Sequence, residues 1–528
     1  MVARILKFRL LFICLFLNPN VGFSQANSRQ VKLVVSSSVF VSGDLVNLQV
    51  LTLNERGELV ENGALVNLYL VSSEGKTEAI ERFNTAEYDQ GMAFFLPSDL
   101  ATGNYKLVAH IPGSEFQTEA LVHVYSPKIF TSAIVPKNAD NMLALVQAKY
   151  PESPLKVEVG SNQSTPIVTV NPSENSGLLA FKIFDPSLEG FPVSGVVKSS
   201  TLGDSNPFEI QFTPISGVPN SRYSVYFVDQ GMTEEYFLED QAEMERKLVT
   251  HRGDSKIWVY QFGPMGNRLG EIQVNQSEWE SVQFQKFDNT VPFSEDVRSI
   301  LNHKRSRKFI NQVYRSDIDQ VENSFSGSLE TADAVYQGND YEGVATLREA
   351  LSGIVNKVSV SRSQKEYSIR MTPASAGFKY EESPLILLNG VPFYHIGDLV
   401  EIPFHQIESI SVYNSIRSQK QFGTLGRFGV LSVQLKEEYT NPVQDLYDGF
   451  PEFHGINPLV KSFEKAENDA PDLRPVLLWN SGVLLQPNQS IQRAWNYSDV
   501  KDSYVIWGDL INEKGQTVQW VQPLTNSN

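Results

Sequence analysis

Cysteine is nearly absent from this sequence of 528 residues: its one cysteine, Cys14, lies close to the N-terminus. It belongs to an apolar run, residues 10–17, which follows Arg4, Lys7 and Arg9 and leads into a small-residue segment. A positive flank, a short apolar run and a small-residue exit are typical of a cleaved secretory signal peptide, here residues 1–26. The mature chain would then have no cysteine, which excludes disulfides, thiol nucleophiles and cysteine metal sites.

Long apolar runs are also missing. The run at residues 10–17 is too short to span a bilayer, and no later stretch is long or apolar enough to form a membrane helix. We therefore expect an exported chain that does not cross a membrane as a helix.

The motifs of common active sites do not occur in the sequence. The seven histidines form no H-E-x-x-H pair and no pair four residues apart on a predicted helix. There is no G-x-S-x-G nucleophile turn and no G-x-x-x-x-G-K-[ST] phosphate loop. The sequence at Asp317-Ile318-Asp319 lacks the glycine and glutamate of a calcium loop. We predict a protein that is not an enzyme and that uses no metal or cofactor.

Positive charge is scarce, because 44 lysines and arginines stand against 61 acidic residues and give a net charge of −17. This balance argues against nucleic acid as the main partner. One concentrated basic run occurs in a helix predicted to begin at Ser294 and to run towards Tyr314. The run could bind lipid phosphates or an acidic partner, or it could be a solvated helix face. Its cations are Lys304, Arg305, Arg307 and Lys308.

The length predicts three or four domains at about 150 residues each. Short alternating runs between turn residues predict a β-sandwich at residues 31–125 and a second β-sandwich region at 126–290, where 231–290 is mixed. Residues 291–338 are interpreted as a helix and linker, and 438–528 as a linker and β-rich C-terminal segment. The predicted fold class is mainly β and multidomain, with an α+β domain between these last two segments.

Residues 339–437 carry that α+β pattern. A helical pattern at 346–351 precedes an alternating strand at 354–360 and an apolar strand that runs into Asn389-Gly390, a strong hairpin signal. Residues 407–412 alternate again, which places Ile407 with Ser409 and Ser411 on one face. Glycine-marked turns then lead to a last strand, Gly429 to Val433.

This order of elements resembles the plug domain of TonB-dependent outer-membrane receptors, in the form found in Bacteroidota. Asn389-Gly390 stands where those plugs have Asp-Gly, and residues 407–412 match the strand written IesIeV. Phe422-Gly423 matches the Tyr-Gly pair, and Gly429-Val430 matches the Gly-Val pair. The alternative is another small αβ sandwich with a tight hairpin.

Four segments in the first sandwich region carry a second resemblance: residues 40–46, 54–57, 94–97 and 103–107, the last reading Gly-Asn-Tyr-Lys-Leu. They are similar to the MG2 domain of α2-macroglobulins, and the alternative is a generic immunoglobulin-like spacer. Asp472-Leu473-Arg474 and Leu478-Trp479-Asn480 resemble the closing segment of exported Bacteroidota proteins that combine MG2-like and plug-like domains.

Two departures limit what these resemblances imply. The residues after Glu438 are too few for even eight membrane strands of about 9–11 residues with loops, so we expect no barrel of the chain's own. After signal cleavage the Cys-x-x-Gln thioester of trapping macroglobulins is impossible. Neither the energised transporter nor the protease trap is therefore expected.

The plug resemblance implies a non-catalytic interaction protein, periplasmic and associated with the outer membrane. It would be an accessory to transport that occupies or docks on a β-barrel encoded elsewhere, either a TonB-dependent transporter or the type 9 secretion translocon. Aromatic loop tips anchor well in a partner. The predicted partner-binding residues are Asn389, Gly390, Val391, Pro392, Phe393, Tyr394, Phe422, Gly423, Arg427 and Phe428.

A different class of function stays open. The MG2 resemblance also fits a macroglobulin-like or adhesin-like module that binds protein or glycan at the cell surface. Such a module would be open to protease added to intact cells, whereas a periplasmic plug would be shielded.

Overall fold

A computed structural model describes residues 29–60, 63–86, 92–126, 155–162, 165–171, 177–202, 209–212, 215, 221–237, 245–248, 252–272, 274–276, 282–291, 295–314, 320–322, 331–364, 366–375, 377–457, 459–461, 471–486, 490–499, 504–512 and 516–524. The predicted signal peptide lies outside these residues. The chain divides into two compact units, described separately below. The sandwich unit comprises Met1–Asn206, Trp279–Asn323 and Ile456–Asn528, and the α+β unit comprises Pro207–Glu278 and Ser324–Gly455.

The described elements are numbered along the chain. Up to residue 206 they are β1 (Gln30–Val35), β2 (Val39–Val41), β3 (Leu45–Leu53), β4 (Leu65–Ser72), β5 (Thr77–Asn84), β6 (Met92–Phe95), β7 (Gly103–His110), β8 (Phe116–Tyr125), β9 (Lys156–Asn162), β10 (Thr165–Asn171), β11 (Gly177–Phe184), β12 (Val193–Ser194) and β13 (Val196–Ser199). From 207 to 323 they are β14 (Glu209–Phe212), β15 (Arg222–Phe227), β16 (Met232–Phe237), β17 (Glu245–Leu248), β18 (Asp254–Phe262), β19 (Arg268–Glu271), β20 (Val274–Gln276), α1 (Glu295–Tyr314) and β21 (Gln320–Glu322).

From residue 324 to 455 the elements are β22 (Ala334–Gln337), α2 (Leu347–Gly353), β23 (Val358–Ser363), β24 (Glu366–Met371), β25 (Leu385–Leu388), β26 (Val391–Pro392), α3 (Ile396–Val400), β27 (Ile407–Tyr413), α4 (Ile416–Gln419), β28 (Val430–Leu435), α5 (Asn441–Asp448) and β29 (Glu452–His454). The remaining strands are β30 (Leu459–Lys461), β31 (Val476–Leu485), β32 (Ile491–Ala494), β33 (Val505–Asn512) and β34 (Thr517–Pro523). The predicted mainly β, multidomain architecture is confirmed.

The first sandwich of the sandwich unit consists of two sheets, ordered β12-β1-β3-β6 and β13-β8-β7-β4-β5, with β2 parallel to β8. Alternate residues of facing strands form its core, as expected for strands with one face inward. Examples are Leu33 in β1, Leu48 in β3, Leu68 in β4 and Leu107 in β7, each no more than 1% exposed. Eight of the ten strands come from residues 30–125, close to the predicted sandwich at 31–125.

The second sandwich pairs segments that are distant in sequence. Its sheets are ordered β32-β10-β9 and β31-β11-β33-β34, so strands near residue 180 pair with the end of the chain. This differs from the predicted boundaries, which kept 126–290 together and separated 438–528. Hydrophobic alternation predicts that a strand has a buried face, but it does not say which strand pairs with it.

Strand β11 is buried along its whole length because both of its faces are covered. Phe181 and Ile183 face the core shared with β10, while Ala180 and Phe184 lie in a cluster with Val34 of the first sandwich. The β31-β11-β33-β34 sheet is therefore a middle layer between two others. Lys182 shares the face of Ala180 and Phe184, and is 1% exposed.

Helix α1 forms over Glu295–Tyr314, where the sequence predicts a helix from Ser294 towards Tyr314. Ile300 and Leu301 are buried against Val39 and Val41 of β2. The helix is thus fixed to the first sandwich by its apolar side. None of the described helices is both long and apolar enough to cross a membrane.

In the α+β unit, a sheet ordered β16-β15-β18-β19 has two different faces, and β29 pairs with β18. One face carries Val225 and Val259, in a small core with Phe453 of β29. The other carries Tyr226 and Trp258, which join the core of residues 331–440. We call this sheet the aromatic sheet and residues 331–440 the α+β module.

The α+β module contains a mixed sheet ordered β22-β27-β28-β25-β26, in which β25 and β28 are parallel. The hairpin β23–β24 stands beside it. Leu347 and Leu351 of α2 and Leu399 of α3 are fully buried in the same core as Val430. A helix-packed mixed sheet of this kind is an α+β arrangement rather than another sandwich repeat.

Two local details differ from the sequence prediction. The strand predicted at 354–360 begins only at Val358, because the backbone N–H groups of Ile354 and Val355 donate back to the Ala350 carbonyl of α2, at 2.8 and 2.9 Å. In β27 the register shifts between Ile407 and Ser409, which indicates an irregularity such as a bulge. Ile407 is therefore buried in the core that also contains Ile410, and not on the opposite face with Ser409 and Ser411.

Candidate functional site

The Asn389-Gly390 pair forms the predicted tight turn between β25 and β26. Both residues have positive φ, +50° and +80°, as a two-residue hairpin turn of the primed type needs. The Asn389 backbone N–H donates to the Val433 carbonyl at 2.9 Å, and its side-chain oxygen accepts from the Leu435 N–H at 2.7 Å. The turn is thereby fixed to strand β28 as well as to its own hairpin.

This first predicted binding loop, residues 389–394, packs on the aromatic sheet. The Tyr226 hydroxyl donates to the Gly390 carbonyl at 2.9 Å, and burial raises the pKa of the Tyr226 phenol. The Tyr394 ring lies 5.5 Å from the Trp258 ring, while Val391 is buried beneath. Pro392 is also buried and Phe393 partly so, which leaves Tyr394, at 51% exposure, as the loop's most exposed side chain among those predicted.

The second predicted loop, residues 422–428, contacts the same sheet. Phe422 is buried edge-on against Tyr413. Gly423 has φ +49°, and a β-carbon there would lie 2.6 Å from a carboxylate oxygen of Glu235, so this close approach requires glycine. The same carboxylate accepts a hydrogen bond from the Thr424 backbone N–H.

Arg427 and Phe428 complete the contact. Arg427 donates to the Met265 carbonyl at 2.8 Å and stays exposed. The Phe428 ring lies against the guanidinium groups of Arg268 and Arg427, and edge-on against Tyr380. The structure thus places both predicted loops in contacts within their own chain.

These contacts border an open cavity of about 530 Å³ in the α+β unit. Three cationic side chains line it, those of Arg222, Lys420 and Arg427, together with the carboxylate of Glu235. Met265 and Ile416 lie at its surface, with 83% and 86% of their side chains exposed. The sequence does not predict this cavity, because its lining comes from three separate segments, 222–235, 264–266 and 416–427, that carry no motif.

The predicted basic run on α1 does not form one exposed patch. Lys304 is 10% exposed and pairs with Asp44 at 3.1 Å and Glu189 at 3.3 Å. Burial alone would lower the pKa of Lys304, but these two carboxylates outweigh it and raise the pKa. Arg305 and Lys308 are exposed and Arg307 is partly exposed, so the face that meets solvent lacks Lys304.

A second buried lysine extends the network around Lys304. Lys182 donates to the carbonyls of Ser36 and Gly190, at 2.7 and 3.0 Å, and its ammonium lies 4.0 Å from Glu189. Burial lowers the pKa of Lys182 to about 7. Since each member faces a charged partner or carbonyl inside the sandwich unit, the network is structural rather than a site for an external ligand.

Among the described residues, no group of three or more histidine, cysteine, aspartate or glutamate side chains lies where it could hold a metal ion.

Comparison with known proteins gives few findings. No family model matches the chain, and no curated protein matches it. Among solved structures, trypsin-activated α2-macroglobulin from Escherichia coli is similar at 7% identity and a TM-score of 0.25, covering 96% of this chain and 42% of that one. Salmonella α2-macroglobulin reacted with methylamine gives 8% identity and a TM-score of 0.25, over 96% and 40%. At these scores the likeness carries no argument about fold or function, and this chain spans about two fifths of the length of those it matches.

Proposed function

We propose that this chain is a non-catalytic exported interaction protein whose α+β module docks on an outer-membrane β-barrel, a TonB-dependent transporter or a secretion channel. One observation carries the proposal: the module is a mixed sheet ordered β22-β27-β28-β25-β26 with helices packed beside it. Its strands and turns fall on the residues that resemble the receptor plug. Such plugs fill barrels, and the agreement of motif with topology supports a barrel partner here.

The docking surface differs from the one that the sequence suggests. The loops 389–394 and 422–428 contact the aromatic sheet, which buries or partly buries most of their side chains and leaves Tyr394 and Arg427 exposed. Two other parts of the module are open. Val335 on the edge strand β22 is 52% exposed, and the tip of the β23–β24 hairpin carries exposed Arg362. An edge strand offers unpaired backbone groups to a partner strand, so we place the barrel contact at β22 and this hairpin tip.

The test is capture from membranes. The full chain, tagged at its C-terminus, is expressed in the cells that encode it and recovered from outer membranes solubilised in mild detergent. We expect a β-barrel protein to co-purify, identified by mass spectrometry and by altered gel mobility on boiling. The variant Arg362→Glu combined with Val335→Lys should lose most of that partner. The double variant changes the net charge by −1. The matched control, Lys420→Gln, makes the same change outside the proposed surface and should retain the partner.

Two results would reject this proposal. One is recovery of no barrel protein while the chain fractionates freely in the periplasm. The other is an equal yield of barrel protein with the double variant and with the wild type, which would place the contact elsewhere.

A second candidate, a macroglobulin-like surface module, is favoured by the first sandwich. Its residues 40–46 cover the end of β2, the turn and the start of β3; in the turn Asp44 accepts from the Val41 N–H at 2.9 Å and Gly43 has φ +84°. The MG2 resemblance falls on this turn and on β7. Protease added to intact cells separates the candidates, since a surface module would be cut and a periplasmic docking protein would not.

A further inference from the structure

The cavity of about 530 Å³ has walls that are fixed to each other. One wall is the segment 416–427, and the other comprises Arg222, Glu235 and the turn at 264–266. Glu235 accepts from the Thr424 N–H, and Arg427 donates to the Met265 carbonyl at 2.8 Å. Gly266 has φ +77°, and a β-carbon there would lie 2.3 Å from the Arg427 guanidinium. The chain's own contacts therefore hold the two walls together, and a preorganised site lowers the cost of binding.

The charge of the lining is opposite to that of the whole chain. Three cations line the cavity against one carboxylate, although the chain carries a net charge of −17. That carboxylate, Glu235, already accepts a backbone hydrogen bond. Within the described residues, Lys420 has no ion-pair partner. The Arg222 guanidinium lies over the Phe237 ring, 5.0 Å from its centroid. Arg427 is bonded to a neutral carbonyl, so the lining keeps a positive charge that an anion could neutralise.

Two apolar side chains border these cations. Met265 and Ile416 are 83% and 86% exposed, far more than the buried apolar residues of the same unit. Because they are so exposed, a ligand that covers them must extend beyond the cavity itself. Methionine at a binding surface adapts to varied apolar groups. These features favour an extended chain with both acidic and apolar side chains over a small anion.

We infer that this cavity binds an acidic polypeptide segment, with carboxylates at Arg222, Lys420 and Arg427 and apolar side chains against Met265 and Ile416. None of the residues that line the cavity belongs to β22 or to the β23–β24 hairpin. It needs no barrel, so it can be tested with the purified chain alone.

The experiment uses the purified full chain and a fluorescein-labelled twelve-residue peptide of alternating aspartate and leucine. Fluorescence anisotropy measures its Kd, beside a peptide of alternating asparagine and leucine and one of alternating aspartate and serine. We expect the first peptide to bind, both controls to bind at least about fivefold more weakly, and affinity to fall with added salt.

Variants distinguish the cavity from the rest of the surface. Lys420→Glu should weaken binding of the aspartate–leucine peptide about fivefold or more. Lys357→Glu makes an equal charge change at an exposed lysine that does not line the cavity, and it should leave the Kd unchanged. Glu235→Gln removes the cavity's one carboxylate but keeps an acceptor for the Thr424 N–H, so it should strengthen binding about threefold. A gain in affinity cannot arise from damage to the fold, and melting curves check that each variant is folded.

Several outcomes would overturn the inference. They are equal binding of the aspartate–leucine and asparagine–leucine peptides, equal loss of peptide affinity in Lys420→Glu and Lys357→Glu, or no gain in affinity from Glu235→Gln. Complete displacement of the peptide by millimolar inorganic phosphate, with the aspartate–serine peptide bound as tightly, would instead identify a small-anion site.

Discussion

The two units of this molecule bury polar groups in opposite ways. The sandwich unit buries ions: Lys304 and Lys182 face Glu189, and Asp472 binds Arg474 in a pair that is at most 2% exposed. The α+β unit instead buries aromatic rings, among them Trp258 and Tyr226, whose hydroxyl donates to the Gly390 carbonyl. Its cavity cations stay at the surface. The first unit is therefore expected to depend on charge, and the second on packing.

Layering explains the difference. The β31-β11-β33-β34 sheet has protein on both faces, so a lysine on β11 has no route to water and must find partners inside. An ion pair in that position costs desolvation that its partners only partly repay. The aromatic sheet instead meets the α+β module through large rings, which contribute chiefly by apolar area and by ring contacts. A substitution should therefore lower the free energy of unfolding most where it leaves a buried charge without its ion-pair partner or removes a large buried ring.

Trp258→Ala should have the largest effect. The side chain is 3% exposed and contacts the rings of Tyr260 and Tyr394. Truncating a buried tryptophan leaves a cavity, and we expect a loss of about 4 kcal/mol from the free energy of unfolding of the α+β unit. Hydrogen exchange of peptides from each unit, followed in urea, measures this. Phe378→Ala, at a side chain 69% exposed, should change it by less than about 0.5 kcal/mol.

If Trp258→Ala loosened both units equally, or if added salt altered its effect, the contrast between packing and charge would be lost.

Lys304→Ala should come next, with a loss of about 3 kcal/mol in the sandwich unit, because it leaves Asp44 and Glu189 without their shared cation. Lys308→Ala on the same helix removes an exposed lysine and should cost less than about 0.5 kcal/mol. Urea unfolding followed by tryptophan fluorescence in a Trp258→Phe background reports this unit. Similar midpoints for the two variants would show that the buried network contributes little.

The stability of the two units should also depend differently on acid pH. Burial would raise the pKa of Glu189, but Lys304 and Lys182 outweigh it and hold the pKa below its ordinary 4.5. A lowered folded-state pKa gives stability that is present above the unfolded pKa and is lost as pH falls through the folded value. We therefore expect the sandwich unit to lose stability below pH 4.5.

Titration of tryptophan fluorescence at fixed urea measures this loss. In the α+β unit, hydrogen bonds from Ser415 and Ser418 lower the pKa of Asp333 against the opposing effect of burial, but that carboxylate is exposed and contributes little. Lys304→Ala should flatten the pH dependence of the sandwich unit. If the stability of Lys304→Ala fell with pH as steeply as that of the wild type, Glu189 would not be the group responsible for the acid sensitivity.

Local sequence patterns predicted the turn and the helix discussed below. They could not predict which distant strands pair. The Asn389-Gly390 turn and helix α1 follow from residues adjacent in sequence, and both form where expected. Strand β11 pairs with β31 and β33, which lie about 300 residues away in sequence. Hydrophobic alternation does not predict which strands pair. Ile407 shows a smaller failure, since an irregular register places it in the core and strict alternation cannot predict that.

The same limit applies to the candidate sites. Lys304 looks like part of a surface patch in the sequence because its neighbours are basic, whereas its carboxylate partners lie on other elements, at Asp44 and Glu189. The aromatic loop tips were predicted to be binding residues from their composition, yet composition could not show that the chain's own sheet contacts them.

Among these substitutions, Tyr226→Phe should lower the free energy of unfolding least. It tests whether ring packing or polar contacts stabilise the α+β unit. The ring stays packed while the hydroxyl, buried and bonded to the Gly390 carbonyl at 2.9 Å, is removed. One hydrogen bond to an uncharged acceptor contributes about 1 kcal/mol, so the α+β unit should lose that much by hydrogen exchange in urea. A loss as large as that from Lys304→Ala would mean that polar contacts, and not ring packing, dominate this unit as well. A loss of about 1 kcal/mol that does not vary with salt would instead confirm that its buried polar atoms act as neutral hydrogen bonds.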